Sequence, residues 1–203
     1  MVTVYHAPNT RSLRVLWTLE ELGAPYEVVS VAFPPRQRQP DYLAVNPSGS
    51  LPAMVDGPLT LTESLAICEY LDEKHSGGLA IAPGDPARAD YLQWLYFGEA
   101  SLSQPLGTLV RLRRLQSGSP EGLAPVADQA RDTYGYRLAA LEARLAGREY
   151  LAADRFTLAD ISNAYALNLA DLIGVGEASG PNVSAWWERL QARPALQRAK
   201  AVS

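Results

Sequence analysis

A glycine-rich break divides the chain: before it the two-residue period of strands mixes with helical spacing, and after it helical spacing runs alone. Val2-Thr-Val-Tyr-His6 is short and β-branched and predicts a strand. From Ser12, the residues Leu13, Leu16, Trp17, Leu19 and Leu22 recur at helical spacing, and Gly23 suits the left-handed position just past a helix end. Tyr26 to Val31 predicts a second strand. Phe33 to Pro40 holds three prolines and two arginines and predicts an exposed loop. Leu51 to Val55, Asp56-Gly57 and Leu59 to Thr62 predict a β-hairpin with Asp-Gly at its turn. Leu65, Cys68 and Leu71 then share one face of a helix over 63–75.

Ser76 to Asp85 has three glycines, one proline and no helical period, so it predicts a linker. Beyond it every pattern is helical. Asp85-Pro86 predicts a helix start, with Tyr91, Leu92, Leu95, Tyr96, Leu102 and Leu106 carrying one helix towards Leu115. Residues 117–121 predict a loop, and Leu123 to Leu145 a long helix. Phe156-Thr157-Leu-Ala-Asp160-Ile161 predicts a capping box, Thr157 as cap and Asp160 reaching back, with Phe156 and Ile161 as an apolar staple. The nearly unbroken apolar run after it predicts a central helix. Two short helices, about Val183–Leu190 and Pro194–Ala201, complete the pattern.

The chain has 203 residues, 47% of them hydrophobic, enough for a core and against general disorder. A net charge of -4 with no dense basic run argues against nucleic acid and anionic membranes as partners. No apolar stretch approaches the ~20 residues of a membrane helix, and Met1 leads straight into a strand pattern rather than an export signal, so a cytoplasmic location is expected. One cysteine excludes an internal disulfide. The two histidines lie far apart, and no metal-binding spacing occurs. Phosphate-loop, dinucleotide and serine-hydrolase motifs are missing.

Three places carry candidate chemistry. Pro52 stands at a strand start; a cis bond before it would turn the Leu51 backbone outward to pair with an extended peptide, whereas the plain alternative is a turn proline. Glu63-Ser64 opens a helix, where free N–H groups and a hydroxyl hold a carboxylate and an adjacent acid holds an ammonium; a merely dipole-complementing first turn is the alternative. Asn9-Thr10-Arg11-Ser12 joins the first strand to the first helix, either aiming donors at an anion or simply capping. Cys68, mid-helix on the apolar face, reads as an inert core residue.

Together these pieces resemble a glutathione transferase, of cytosolic, bacterial type, over the whole chain. Its most specific part is Asn46-Pro-Ser-Gly-Ser-Leu-Pro52-Ala-Met-Val-Asp with Leu61-Thr-Glu63-Ser64-Leu-Ala-Ile-Cys-Glu-Tyr-Leu71. Arg11-Ser-Leu-Arg-Val-Leu-Trp-Thr-Leu-Glu-Glu-Leu-Gly23 and Phe156-Thr-Leu-Ala-Asp160 add to it. The resemblance implies an α/β thioredoxin-like domain over 1–77, an all-helical domain over 86–203, and a homodimer. It implies glutathione as co-substrate without a metal. Leu51 would bind its cysteinyl part, Pro52 would be the cis residue, Glu63 and Ser64 would bind the γ-glutamyl end, and Gln39 or Arg38 would approach the glycyl carboxylate. The thiol would meet Asn9 or Ser12, with Thr10 a further donor; Tyr5 sits where other classes keep a catalytic tyrosine. A small hydrophobic electrophile would lie between the domains against Tyr96, Phe97 and Ser103. Two other readings stay open, a glutathione-dependent disulfide or peroxide oxidoreductase and a non-catalytic glutathione-binding or interaction protein.

Overall fold

A computed structural model describes residues 1–115, 122–176 and 179–202, so the loop expected at 117–121 lies outside the described residues. The chain forms two compact units, Met1–Ala80 with the segment from Gln191 onward, and Ile81–Leu190.

In the first unit, strands β1 (Val2–His6) and β2 (Tyr26–Ser30) flank helix α1 (Ser12–Leu22), and β3 (Ala53–Asp56) and β4 (Leu59–Thr62) precede helix α3 (Ser64–His75). The sheet order is β2-β1-β3-β4; β1 pairs parallel to β2 and antiparallel to β3, and β3 pairs antiparallel to β4. This is the thioredoxin-like arrangement. α1 ends on Gly23, left-handed at φ 59°. It packs on β1, α3 and α9 (Pro194–Ala201), which buries eight consecutive residues, Ser12 to Leu19. Two ion pairs fasten the chain end to α1: Arg193 is bidentate on Glu21, and Arg198 holds Glu20. They account for the final segment clustering with the first unit.

Two local expectations are corrected here. The proline-rich stretch after Phe33 is not an open loop but a short helix α2 (Pro35–Arg38) followed by a 3₁₀ turn, Pro40–Ala44. Proline lacks an N–H, so it fits the first helical position, where none is needed, and both turns begin that way. In the hairpin, Asp56 pairs with Leu59, which makes Gly57 (φ 56°) and Pro58 the turn residues. Asp56 instead accepts from the Tyr70 hydroxyl at 2.7 Å and pairs with Lys74, which tie the hairpin to α3 and hold its carboxyl below the usual range.

The second unit contains α4 (Arg88–Tyr96), α5 (Ser103–Leu115), α6 (Ala124–Leu145), α7 (Leu158–Leu172) and all but the last residue of α8 (Pro181–Gln191). The expected single helix from Asp85 to Leu115 starts later and is broken. Asp85 accepts from the Ala87 N–H in a turn before α4, and Phe97–Leu102 form a wider π-helical turn. The cause is α7. Ser162 and Asn163 donate to the carbonyls of Leu95 and Trp94 at 2.7 Å each, and Gly98 lies against them. α7 itself begins with the capping box, Thr157 accepting from the Ala159 N–H and Asp160 from the Thr157 N–H.

Candidate functional site

Three segments of the first unit carry the candidate residues. The β1–α1 junction is organised from within. His6 Nδ1 lies 2.7 Å from Ser12 Oγ, Ser12 Oγ lies 2.6 Å from Thr10 Oγ1, and Thr10 donates to the Ala7 carbonyl at 2.8 Å. A chain from His6 Nδ1–H through both hydroxyls to that carbonyl satisfies every distance. Burial disfavours the charged ring and lowers the pKa of His6. Thr10 and Ser12 are buried, Ser12 completely. Asn9 lies at the exposed tip of this junction with φ 62°, a left-handed conformation that asparagine tolerates better than most residues. Of the four residues expected near the thiol, Asn9 is thus exposed, while Ser12 and Thr10 face inward. Tyr5 is half-buried, its ring tilted against Tyr42 at 5.6 Å.

The second segment leads to Leu51. Asn46 folds the preceding loop, its Oδ1 accepting from the Ser48 N–H and hydroxyl at 3.0 and 2.8 Å, its Nδ2 donating to the Ser50 carbonyl at 2.8 Å. Gly49 is left-handed at φ 67°, and Arg36 donates to Pro47 at 2.6 Å. The Tyr42 hydroxyl donates to the Ser50 carbonyl at 2.8 Å. Leu51 then packs with Ala7, Val31, Tyr42 and Ala53, which joins this loop to the end of β1. The Leu51–Pro52 peptide is cis, and so is Phe33–Pro34. Both β-ladders on β3 stop at Ala53, so Leu51 stands just beyond the paired backbone.

The third segment is the start of α3. Glu63 is exposed and left-handed at φ 67°, a costly conformation for a residue with a Cβ and one that concentrates at functional sites. Ser64 is the first residue of α3, and its Oγ accepts from Arg14 Nη1 at 3.2 Å. Arg14 is wholly buried. It was not among the residues singled out from sequence; its one signal is a cation one position off the apolar face of α1. Gln39 sits between the two short helical turns with Oε1 on the Ala32 N–H at 2.8 Å, and Arg38 is exposed.

In the second unit, Tyr96 is exposed, Phe97 is half-buried with its ring 4.9 Å from that of Trp94, and Ser103 is enclosed, donating to the Gly98 carbonyl at 2.6 Å. Cys68 is fully enclosed, and burial pushes its thiol up to about 12. Among the described residues no cluster of three or more His, Cys, Asp or Glu is placed to hold a metal ion, and no helix is long and apolar enough to cross a membrane.

Residues 1–73 match the family description "Glutathione S-transferase, N-terminal domain" and residues 86–194 match "Glutathione S-transferase, C-terminal domain". The chain is 37% identical over 203 residues to Glutathione S-transferase 3 of Zea mays, covering 96% of this chain and 90% of that protein. It is 35% identical over 193 residues to Glutathione S-transferase F13 of Arabidopsis thaliana, covering 90% and 87%. It superposes with TM-score 0.83 and 30% identity on a glutathione transferase family member from Pseudomonas fluorescens pf-5 with two glutathione bound, covering 98% and 92%.

Proposed function

The chain belongs to the glutathione S-transferase family, and on that premise we propose how its residues divide the work. It is a glutathione transferase with glutathione as co-substrate. The nucleophile is therefore the tripeptide's own thiol, and the protein's task is to favour its thiolate. A free thiol has a pKa near 8.5, and lowering it by about two units takes about 2.7 kcal/mol of preference for the anion. One or two hydrogen bonds and a nearby helix N-terminus suffice for that.

The glutathione site is assigned to 1–77. Leu51 pairs through its backbone with the cysteinyl part as an added strand. Ser64 and the N-terminus of α3 take the γ-glutamyl carboxylate, Glu63 takes the ammonium, and Gln39 or Arg38 approaches the glycyl carboxylate. Asn9 is the donor to sulfur. The observation that carries this choice is the junction's inside-out order: Asn9 is exposed at a left-handed tip while the Ser12 and Thr10 hydroxyls are spent on each other, on His6 and on Ala7. A small hydrophobic electrophile meets residues of 86–203, with Tyr96 and Phe97 as its wall; Ser103, enclosed against Gly98, supports that segment from behind. The protein works in the cytoplasm as a homodimer.

Exchange carried by a protein thiol is disfavoured, because Cys68 is enclosed; in the glutathione-dependent oxidoreductase reading the attacking thiolate is the tripeptide's own, so assay separates that reading from conjugation. Chlorodinitrobenzene conjugation assayed beside glutathione–disulfide exchange is the test. Conjugation without exchange is the expected outcome. Exchange without conjugation, or glutathione binding with neither activity, would overturn the assignment of a transferase.

A further inference from the structure

Arg14 is a complete guanidinium enclosed in the first unit, at 0% exposure, and it reaches across from α1 to the first residue of α3. Arginine carries donors and no acceptor. In the 3.2 Å contact Ser64 Oγ is therefore the acceptor, and the serine's own proton is left to point elsewhere. Ser64 also opens α3, where backbone N–H groups lack helical partners and the macrodipole favours an anion. Glu63, held left-handed at φ 67°, turns the chain immediately before it.

We propose that Arg14 is a positioning residue for glutathione, acting through Ser64: it fixes the hydroxyl as a donor to the γ-glutamyl α-carboxylate and places a full positive charge behind that contact. This rests on the Ser64–carboxylate reading above and extends it. Arg14 makes the site selective for ligands that bear this carboxylate, and it acts on binding rather than on the sulfur. Lysine keeps the charge but lacks the guanidinium geometry, so it replaces the contact with Ser64 only in part.

The test compares glutathione with its analogue lacking the γ-glutamyl α-carboxylate, titrated calorimetrically against the full-length wild type, Arg14→Met, Arg14→Lys, Ser64→Ala and the Arg14→Met/Ser64→Ala double variant. Wild type is expected to bind glutathione about 10- to 100-fold more tightly than the analogue, the range of a hydrogen bond to a charged group. Arg14→Met removes most of that preference, weakens the analogue little, and adds little in the Ser64→Ala background. In turnover it raises the KM for glutathione and leaves kcat at saturation unchanged. Should Arg14→Met fail to fold, Arg14→Lys carries the comparison, with a smaller loss confined to glutathione. Equal losses for both ligands, or additive losses in the double variant, would overturn the role of Arg14 alone. A wild type that binds both ligands equally would instead overturn the Ser64–carboxylate reading on which it rests.

Discussion

Asp160→Ala separates a simple helix cap from a buried hub. A lost cap interaction costs typically about 1 kcal/mol. Asp160, however, is completely buried and serves four donors: the Leu151 N–H at 3.1 Å, the Thr157 N–H at 2.9 Å, the Thr157 hydroxyl at 3.2 Å and the Trp186 indole N–H at 3.0 Å. Deleting the carboxyl leaves these neutral buried donors without their acceptor, at about 1–3 kcal/mol for each group left unsatisfied. Denaturant titration of wild type and variant, followed by tryptophan fluorescence, measures the difference. Burial also pushes this carboxyl up to about 6. Its folded pKa thus exceeds the unfolded value near 4, so the native state holds the proton more tightly. The stabilising contribution is fully present below about pH 4 and is lost as pH rises through about 6. The deficit of Asp160→Ala relative to wild type is therefore expected to be larger at pH 5 than at pH 7.5. A deficit near 1 kcal/mol would refute the four-donor account, and one that ignores pH would refute the raised carboxyl.

Glu63→Ala and Ser64→Ala are each expected to weaken glutathione binding by about 10- to 100-fold, with denaturation midpoints close to wild type; unchanged affinity in calorimetry for both would remove the α3 start from the site. Gly98→Ala places a Cβ 2.6 Å from the Ser162 backbone carbon and 2.8 Å from the Asn163 nitrogen, so the π-helical turn and α7 must separate. A loss of about 1–3 kcal/mol or more in denaturant titration is expected, and a neutral result would contradict the close packing. Light scattering at micromolar concentration is expected to give twice the chain mass of 22.0 kDa; a value of 22.0 kDa would contradict the homodimer.

Where local chemistry decided the structure, the sequence was readable. The capping box at Thr157–Asp160, the left-handed end at Gly23 and the β1 strand each depend on residues a few positions apart. The π turn at Phe97–Leu102 was hidden because its cause is remote: α7 residues claim carbonyls some seventy positions away. The same limit applied to the site. Glu63-Ser64 and Leu51-Pro52 stood out as motifs, but Arg14 gains its meaning only when α1 meets α3. Ser12 looked like a free hydroxyl at a helix start until His6 and Thr10 closed around it. Helical periodicity predicted one buried face for α1, whereas α3, α9 and the sheet cover it on several sides, and that hid the enclosed arginine.

The proposed donor to the thiolate is the amide at the exposed tip of the β1–α1 junction, not an inward hydroxyl or the β1 tyrosine. Its direct measurement is the ultraviolet titration of the thiol of bound glutathione in wild type, Asn9→Ala, Ser12→Ala and Tyr5→Phe. Wild type is expected to ionise the thiol well below the free value of about 8.5. Asn9→Ala should move the titration upward by about one unit, the equivalent of 1.36 kcal/mol, with Tyr5→Phe close to wild type. A titration unmoved in Asn9→Ala but raised in Tyr5→Phe or Ser12→Ala would contradict the account.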